Sequence, residues 1–259
     1  MSINGQQRQV PELQQLPRPL YARAESLSSG AWTPLHQHPW IQISYAIQGV
    51  LNVQTEAGSY IAPPQRAIWI PAHTAHAVFN STRVEMRSLY LDPAVVPADR
   101  QHSRVLAVTP LIRELIRSFT ALPVEYQQDE AEGRLVQVLL DQLLQAEEVE
   151  LSLPMPTDSR LRTLCETLQA QPDDRRSLSQ WGVQLGASEK TLARLFQRET
   201  GMTFRIWRQR LRLLSALTPL ESGCSVTEVA LSCGYESTSA FIAAFRQTFA
   251  CTPGEFFRN

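Results

Sequence analysis

The chain has 259 residues, of which 24 are basic, 25 acidic and 43% hydrophobic, for a net charge of −1. That length suggests two domains. No apolar run reaches the ~18 residues of a membrane helix, and the N-terminus lacks a charged, apolar, small-residue leader pattern. A total charge so near zero argues by itself against a nucleic-acid binder. Division at Thr157 changes that reading. Residues 1–157 carry 11 basic and 15 acidic side chains, whereas 158–259 carry 13 and 10. The second half has the sign expected of a DNA-binding domain. Lys190 is its single lysine; every other cation is arginine.

In chain order, residues 1–17 read as an N-terminal arm, with Gln6-Gln7-Arg8-Gln9 and Gln14-Gln15 as mobile polar stretches. From Arg18 to Asp92 short β-rich runs alternate with Gly and Pro. Gln42–Ile47 and Leu51–Thr55 flank the turn Gly49-Val50, Ala67–Ile70 ends at Pro71, and Val84–Leu91 alternates apolar with polar residues. Short strands at this spacing predict a sandwich or barrel. Two helices follow, over 110–121 and 129–148. The second is expected to gather Leu135, Val138, Leu139, Gln142, Leu143 and Ala146 on one face. An apolar stripe that a small barrel leaves uncovered meets a partner, so this helix is expected to pair two chains. Packing on its own barrel is the other outcome. Glu147–Glu150 reads as a solvated helix end. Residues 18–150 thus form a sensor and dimerisation domain, 151–157 a linker, and 158–259 a helical domain.

Four of the five histidines, His36, His38, His73 and His76, lie in the β-rich stretch 18–92. On an extended segment His36-Gln37-His38 puts two imidazoles on one face, and Gln42 has the same parity. The pattern resembles a cupin barrel, in which His-x-His, a glutamate four residues on and a later histidine bind a metal. The resemblance implies one divalent metal ion on His36, His38, Gln42 and His76. Gln42 stands in place of the glutamate, which removes the anionic ligand and weakens the set for a cation. Three uses stay open: a metal site, hydrogen bonding to a small organic effector beside Trp32, Trp40, Trp69 or Tyr45, and a structural remnant. For Trp69 and Tyr45 themselves the reading is core packing.

In the second half, Asp173-Asp174-Arg175-Arg176 reads as a turn before a helix carrying Trp181. The four cysteines, Cys165, Cys224, Cys233 and Cys251, form no Cys-x-x-Cys pair and read as buried, reduced thiols rather than a zinc or disulfide site. One pattern then appears twice, 49 residues apart: Leu192–Arg198 and Phe241–Gln247, each preceded four residues upstream by serine, Ser188 and Ser237. Before each serine lies a short helix with small residues and glycine at matching places, Gly182 and Gly186, then Ala230 and Gly234. Ser225 and Glu228 have capping-box spacing. Leu192, Leu195 and Phe196, like Phe241, Ala244 and Phe245, fall at i, i+3, i+4 and face the core. These are two tandem helix-turn-helix units.

Residues 175–258 resemble the DNA-binding domain of the AraC/XylS transcription regulators. The stretches that match are Ser188–Phe196, Glu199–Phe204, Arg210–Arg212, Val226–Gly234, Phe241–Phe249 and Thr252–Phe256. The resemblance implies two helical subdomains joined by one long helix, here over 204–217 and closed by Thr218-Pro219. It implies base or backbone contacts from Ser188, Glu189, Lys190, Thr191 and Arg194 in the first unit. In the second it implies Ser237, Thr238, Ser239 and Arg246. Ala243 stands where an arginine is expected. Arg194 has two other uses, a phosphate contact or a pair along its helix with Glu199.

The expected fold is therefore α+β in two domains: a cupin-like β-barrel followed by helices, then an all-α domain with two helix-turn-helix units. The expected function is a cytoplasmic, homodimeric transcription regulator that binds double-stranded DNA and answers to a small-molecule effector or metal in the barrel. A metal-dependent cupin enzyme of dioxygenase or isomerase type, with an appended helical domain, is the alternative. The missing glutamate and the DNA-binding domain tell against it.

Overall fold

The computed structural model describes residues 6–8, 10, 13–97 and 100–257. Parts of the expected arm, including Gln9, lie outside them. The chain divides into two compact units, one of Ser2–Glu56 with Tyr60–Ser152, the other of Leu153–Asn259 with Ala57–Ser59.

The first unit is built on two antiparallel sheets. The strands, which lie in this unit except for parts of β4 and β10, are β1 (Leu20–Leu27), β2 (Ile41–Gln48), β3 (Leu51–Thr55), β4 (Gly58–Ala62), β5 (Arg66–Ile70), β6 (His76–Phe79), β7 (Val84–Leu91), β8 (Arg104–Ala107), β9 (Glu148–Val149) and β10 (Ser152–Pro154). The six-stranded sheet runs β1-β7-β2-β5-β8-β9 and the four-stranded sheet β10-β4-β3-β6. At Gly49 the chain passes from one sheet to the other in the left-handed region, φ 83°. A Cβ there would fall 2.4 Å from the Arg83 carbonyl oxygen, so the position needs glycine on two counts.

The alternation of β2 decides which side chains enter the barrel. Ile41, Ile43 and Tyr45 join a core with Trp69 and the helices α1 (Pro110–Phe119) and α2 (Ala131–Gln145). Gln42 and Ser44 occupy the opposite face and are buried as well. Trp69 and Tyr45 are thus core side chains, as expected. Thr109 caps α1 by accepting from Ile112 N–H, with Pro110 in the first turn.

The stripe on α2 departs from expectation. Leu139 and Leu143 are buried as expected and Leu135 and Ala146 pack against the same core, but Val136 and Leu140 are buried with them while Val138 is 45% exposed. The face is turned by about one residue because it follows the groove between α1 and the sheet rather than the widest apolar arc. The helix also ends at Gln145, and Glu148–Val149 pairs with β8 instead of continuing as a solvated helix end. Residues 151–157 carry β10 and bury Leu151, Leu153 and Met155.

At the N-terminal end Gln7 pairs in parallel with Trp32, Arg8 N–H donates to the Trp32 carbonyl at 2.8 Å, and Arg8 forms an ion pair with Glu25.

The second unit is helical: α3 (Ser159–Ala170), α4 (Leu178–Leu185), α5 (Glu189–Thr200), α6 (Phe204–Glu221), α7 (Val226–Ser232), α8 (Thr238–Phe249) and α9 (Pro253–Phe256). Trp181, Phe196, Trp207, Phe241 and Phe245 fill its core. The two copies match in their caps. Ser177 and Ser225 each close a capping box, with Gln180 and Glu228. Ser188 and Ser237 accept from the N–H three residues on, at Thr191 and Ala240. No disulfide joins the cysteines among the described residues; Cys165 and Cys233 are buried as expected, whereas Cys224 is exposed and Cys251 half-buried, because both lie at helix-flanking turns.

Pro219 does not close α6 after Thr218. The helix runs to Glu221 with Pro219 inside, and the reversal comes at Gly223, φ 86°. A proline this close to the C-terminus removes only one hydrogen bond, and its own carbonyl accepts from Cys224 N–H.

Helices α5 and α8 end alike, on left-handed residues Gly201 and Ala250 (φ 71° and 59°). An alanine in that region costs roughly 1–2 kcal/mol, offset in part by the greater unfolded freedom of glycine. Ala250→Gly is therefore expected to stabilise the unit by about 0.5–1 kcal/mol, read as a rise of a few degrees in thermal midpoint. An unchanged or lower midpoint contradicts it.

Candidate functional site

The antiparallel bridge between His36 and His76 brings two of the histidines together, and His38 follows two residues on. One ring nitrogen from each of His36, His38 and His76 can be chosen so that all lie within 4.8 Å of one another. His76 is fully enclosed, His38 and Gln42 nearly so, and His36 half-buried. His73 stays apart in a left-handed turn, with its N–H donated to the His38 carbonyl.

Backbone carbonyls set the tautomers. Nδ1 of His36 lies 2.8 Å from the Pro34 carbonyl, Nδ1 of His38 2.9 Å from that of Trp40, and Nδ1 of His76 2.8 Å from that of Thr74. A carbonyl only accepts, so each Nδ1 carries the hydrogen and each Nε2 keeps its lone pair. Burial holds all three rings below the usual imidazole range, His76 down to about 3. They are neutral at pH 7, and His76 Nε2 is buried without a partner.

Gln42 meets this cluster from β2. Its Oε1 lies 2.9 Å from His38 Nε2, and its Nε2 donates to Ser44 Oγ at 2.9 Å. With the hydrogen of His38 on Nδ1, the first contact sets two acceptors face to face. Turning the amide, which exchanges its O and N, removes the conflict; so does a cation shared by the two atoms. Trp40 stacks on His38 at 5.3 Å, Tyr90 meets both rings edge-on, and the Trp40 indole N–H is buried without a partner. Of the expected aromatic walls, Trp40 is the one with a ring contact to the cluster among the described residues. Tyr90 was missed because its burial in β7 depends on sheet order.

In the helical unit, α5 presents Glu189, Lys190 and Arg194 on its exposed side, while Leu192, Leu195 and Phe196 are buried. The hydroxyls of Ser188 and Thr191 lie 2.9 Å apart and belong to the cap. Glu199 does not pair with Arg194. It takes Arg198 at 3.1 Å and accepts from Thr157 and Asp158 N–H groups, both at 2.9 Å. No ion pair or hydrogen bond holds Arg194 among the described residues. On α8, Ser237 is spent on its cap, Thr238 Oγ1 donates to Thr227 Oγ1 at 3.2 Å, and Ser239 is exposed. Arg246 lies in the last turn, seven residues or ~10 Å along the axis from Ser239. The structure does not bring it to the helix start; it complements the C-terminal dipole there. Arg176, expected only in a turn, stacks on Trp181 at 3.7 Å and bonds Asp174, holding the Asp174 carboxyl below its usual range.

Two family models match the chain. Residues 181–259 match the model of a helix-turn-helix domain, and residues 21–165 that of an AraC-like ligand binding domain. The HTH-type transcriptional regulator NimR of Escherichia coli K12 is 35% identical over 92% of this chain and 85% of its own. The HTH-type transcriptional regulator RipA of Corynebacterium glutamicum is 33% identical over 40% of this chain and 31% of its own. The solved structure of ToxT from Vibrio cholerae aligns over 92% of this chain and 98% of that one, at 8% identity and a TM-score of 0.39. The tandem, serine-capped helix-turn-helix units and the ligand-binding domain ahead of them make this chain a member of the AraC family of DNA-binding transcription regulators.

Proposed function

We propose that this regulator is controlled through a divalent cation held by His36, His38 and His76, with the Gln42 amide oxygen beside them, and that it acts in the cytoplasm as a homodimer on double-stranded DNA rather than as an enzyme. One observation carries the cation reading. All three imidazoles set Nδ1 against backbone carbonyls, which leaves each Nε2 with its lone pair, and one ring nitrogen of each lies within 4.8 Å of the others. Metal-bound histidines are held in that way by their surroundings, and an imidazole set suits zinc, copper, iron or nickel. The cation would supply a fixed positive charge that ties three separate chain segments together; the residues supply the neutral, pre-oriented donors.

Purified chain stripped with chelator and dialysed against zinc, cobalt or nickel is expected to hold about one ion. His38→Ala and His76→Ala, checked for folding by circular dichroism, should each lower that content severalfold. Less than a tenth of an ion in the wild-type chain overturns the cation reading. Organic contacts by His36 would then remain, and His36→Ala would weaken the response to inducer while leaving inducer-free DNA binding intact.

Dimerisation has less support than the sequence suggested, because the α2 stripe is used in its own core. Leu111 and Val138 remain exposed on α1 and α2. Light scattering of the full chain at tens of micromolar tests it, with twice the chain mass expected and a monomer sinking the idea.

A further inference from the structure

The donors around the cation space are all uncharged: three imidazoles with hydrogen on Nδ1, and the Gln42 amide. The charged or chargeable groups near enough to act on the three rings are one another, His73 and the Arg8 guanidinium. Among the described residues no Asp, Glu or Cys joins the cluster. Arg8 is itself matched by Glu25, so the pair adds little net charge to the site. A divalent ion placed there keeps both its charges while His38, Gln42 and His76 shut out water. Buried charge without a counter-charge is strongly disfavoured. The Trp40 ring, which stacks against His38, carries a buried donor in want of an acceptor, its indole N–H. An anion offering two oxygens answers both needs.

We propose that a small organic carboxylate completes this site and is the effector, binding through its carboxylate to the cation and taking the Trp40 N–H on the same group. This rests on the cation reading and deepens it. Gln42 then has a defined role. Its amide withholds the negative charge that a carboxylate side chain would supply, so the vacancy in charge is left for a molecule from outside. Half-buried His36 marks the open side from which such a molecule enters.

The test uses full-length chain loaded with cobalt, whose visible absorption bands report its ligands. Acetate, benzoate and formate are added in turn, against acetamide and benzamide as uncharged matches and chloride and phosphate as other anions. Carboxylates are expected to shift the bands saturably and to raise the thermal midpoint of the cobalt form but not of the stripped form. Amides should do neither. Gln42→Glu should bind cobalt at least tenfold more tightly and lose the response to added carboxylate. Trp40→Phe, which keeps the stack and removes the N–H, should weaken carboxylate binding severalfold while leaving cobalt content unchanged. Cobalt bound at one per chain with bands that carboxylates do not move overturns the proposal and leaves the cation reading standing. Equal shifts with amides, or with phosphate or chloride alone, overturn it also. Failure to bind cobalt removes both.

Discussion

Arg194→Ala is expected to flatten sequence preference at one or two base pairs of the operator while leaving the rest of the profile in place. The exposed side of α5 carries Glu189, Lys190 and Arg194, and among the described residues Arg194 has no intramolecular partner that would have to be broken first. Glu199, the acid five residues on along the helix, is engaged by Arg198, Thr157 and Asp158. A guanidinium reaching guanine O6 and N7 contributes about 1–3 kcal/mol of discrimination, or about 5- to 150-fold. In α8 the equivalent position, 49 residues on, is Ala243, which can offer only a methyl group. Thr238 is turned toward Thr227, which leaves Ser239 as the outward hydroxyl at the start of that helix. The Thr238→Ala/Ser239→Ala pair should therefore weaken all operator variants evenly and modestly, as loss of a backbone-positioning contact does. Binding curves at fixed salt against a set of single-base variants separate the two. If Arg194→Ala lowers affinity uniformly and reduces the salt slope by about one, it is a phosphate contact. If the α8 pair erases base preference, the roles are reversed.

The legible parts of this chain were those whose causes lie within a few residues. Ser225 with Glu228, and Ser188 and Ser237 at the heads of α5 and α8, are caps whose partners sit three positions away, so spacing was enough to place them. Alternation put His36, His38 and Gln42 on one side of their segments, and the structure gathers them with His76. What the sequence could not carry were interactions whose acceptors are backbone atoms. The carbonyls of Pro34, Trp40 and Thr74 fix the imidazole tautomers, yet any residue type supplies a carbonyl. The face of α2 was misplaced by one position for a related reason. Its apolar residues span more than the groove needs, and the neighbours Ile112, Ile116 and Phe119 select which of them go inside. Pro219 was given too much weight because its effect depends on how many turns remain after it.

The same blindness to carbonyl acceptors hid the arginines that join the two DNA-reading units. From α6, Arg212 donates Nε to the Pro172 carbonyl and Nη2 to that of Asp174, both at 3.0 Å, and Arg208 donates to the Arg176 carbonyl at 2.8 Å. These carbonyls lie on the segment that leads into α4, the first helix of the first unit. Gly234, in the turn of the second unit, sits against the other side of the same guanidinium. A Cβ at Gly234 would come 2.9 Å from Arg212 Nη2 and 2.9 Å from Asp173 Cα. One side chain thus sets the first unit against the second. Each hydrogen bond from a charged donor is worth about 1.5–3 kcal/mol, so Arg212→Met should destabilise the helical unit by about 3 kcal/mol, a fall of roughly 12–24 °C in its thermal midpoint. Arg212→Lys should recover only part, because one ammonium does not reproduce a fork spanning two carbonyls. The effect on DNA separates this role from general destabilisation. Two units held in register bind the second half of an operator at high effective concentration. At a temperature well below the variant's melting midpoint, Arg212→Met should lose roughly tenfold or more on a complete operator, and much less on a duplex carrying only the half read by α5, because only the first depends on that register. Equal losses on both duplexes would show that Arg212 supports the fold without setting the spacing of the two reading helices.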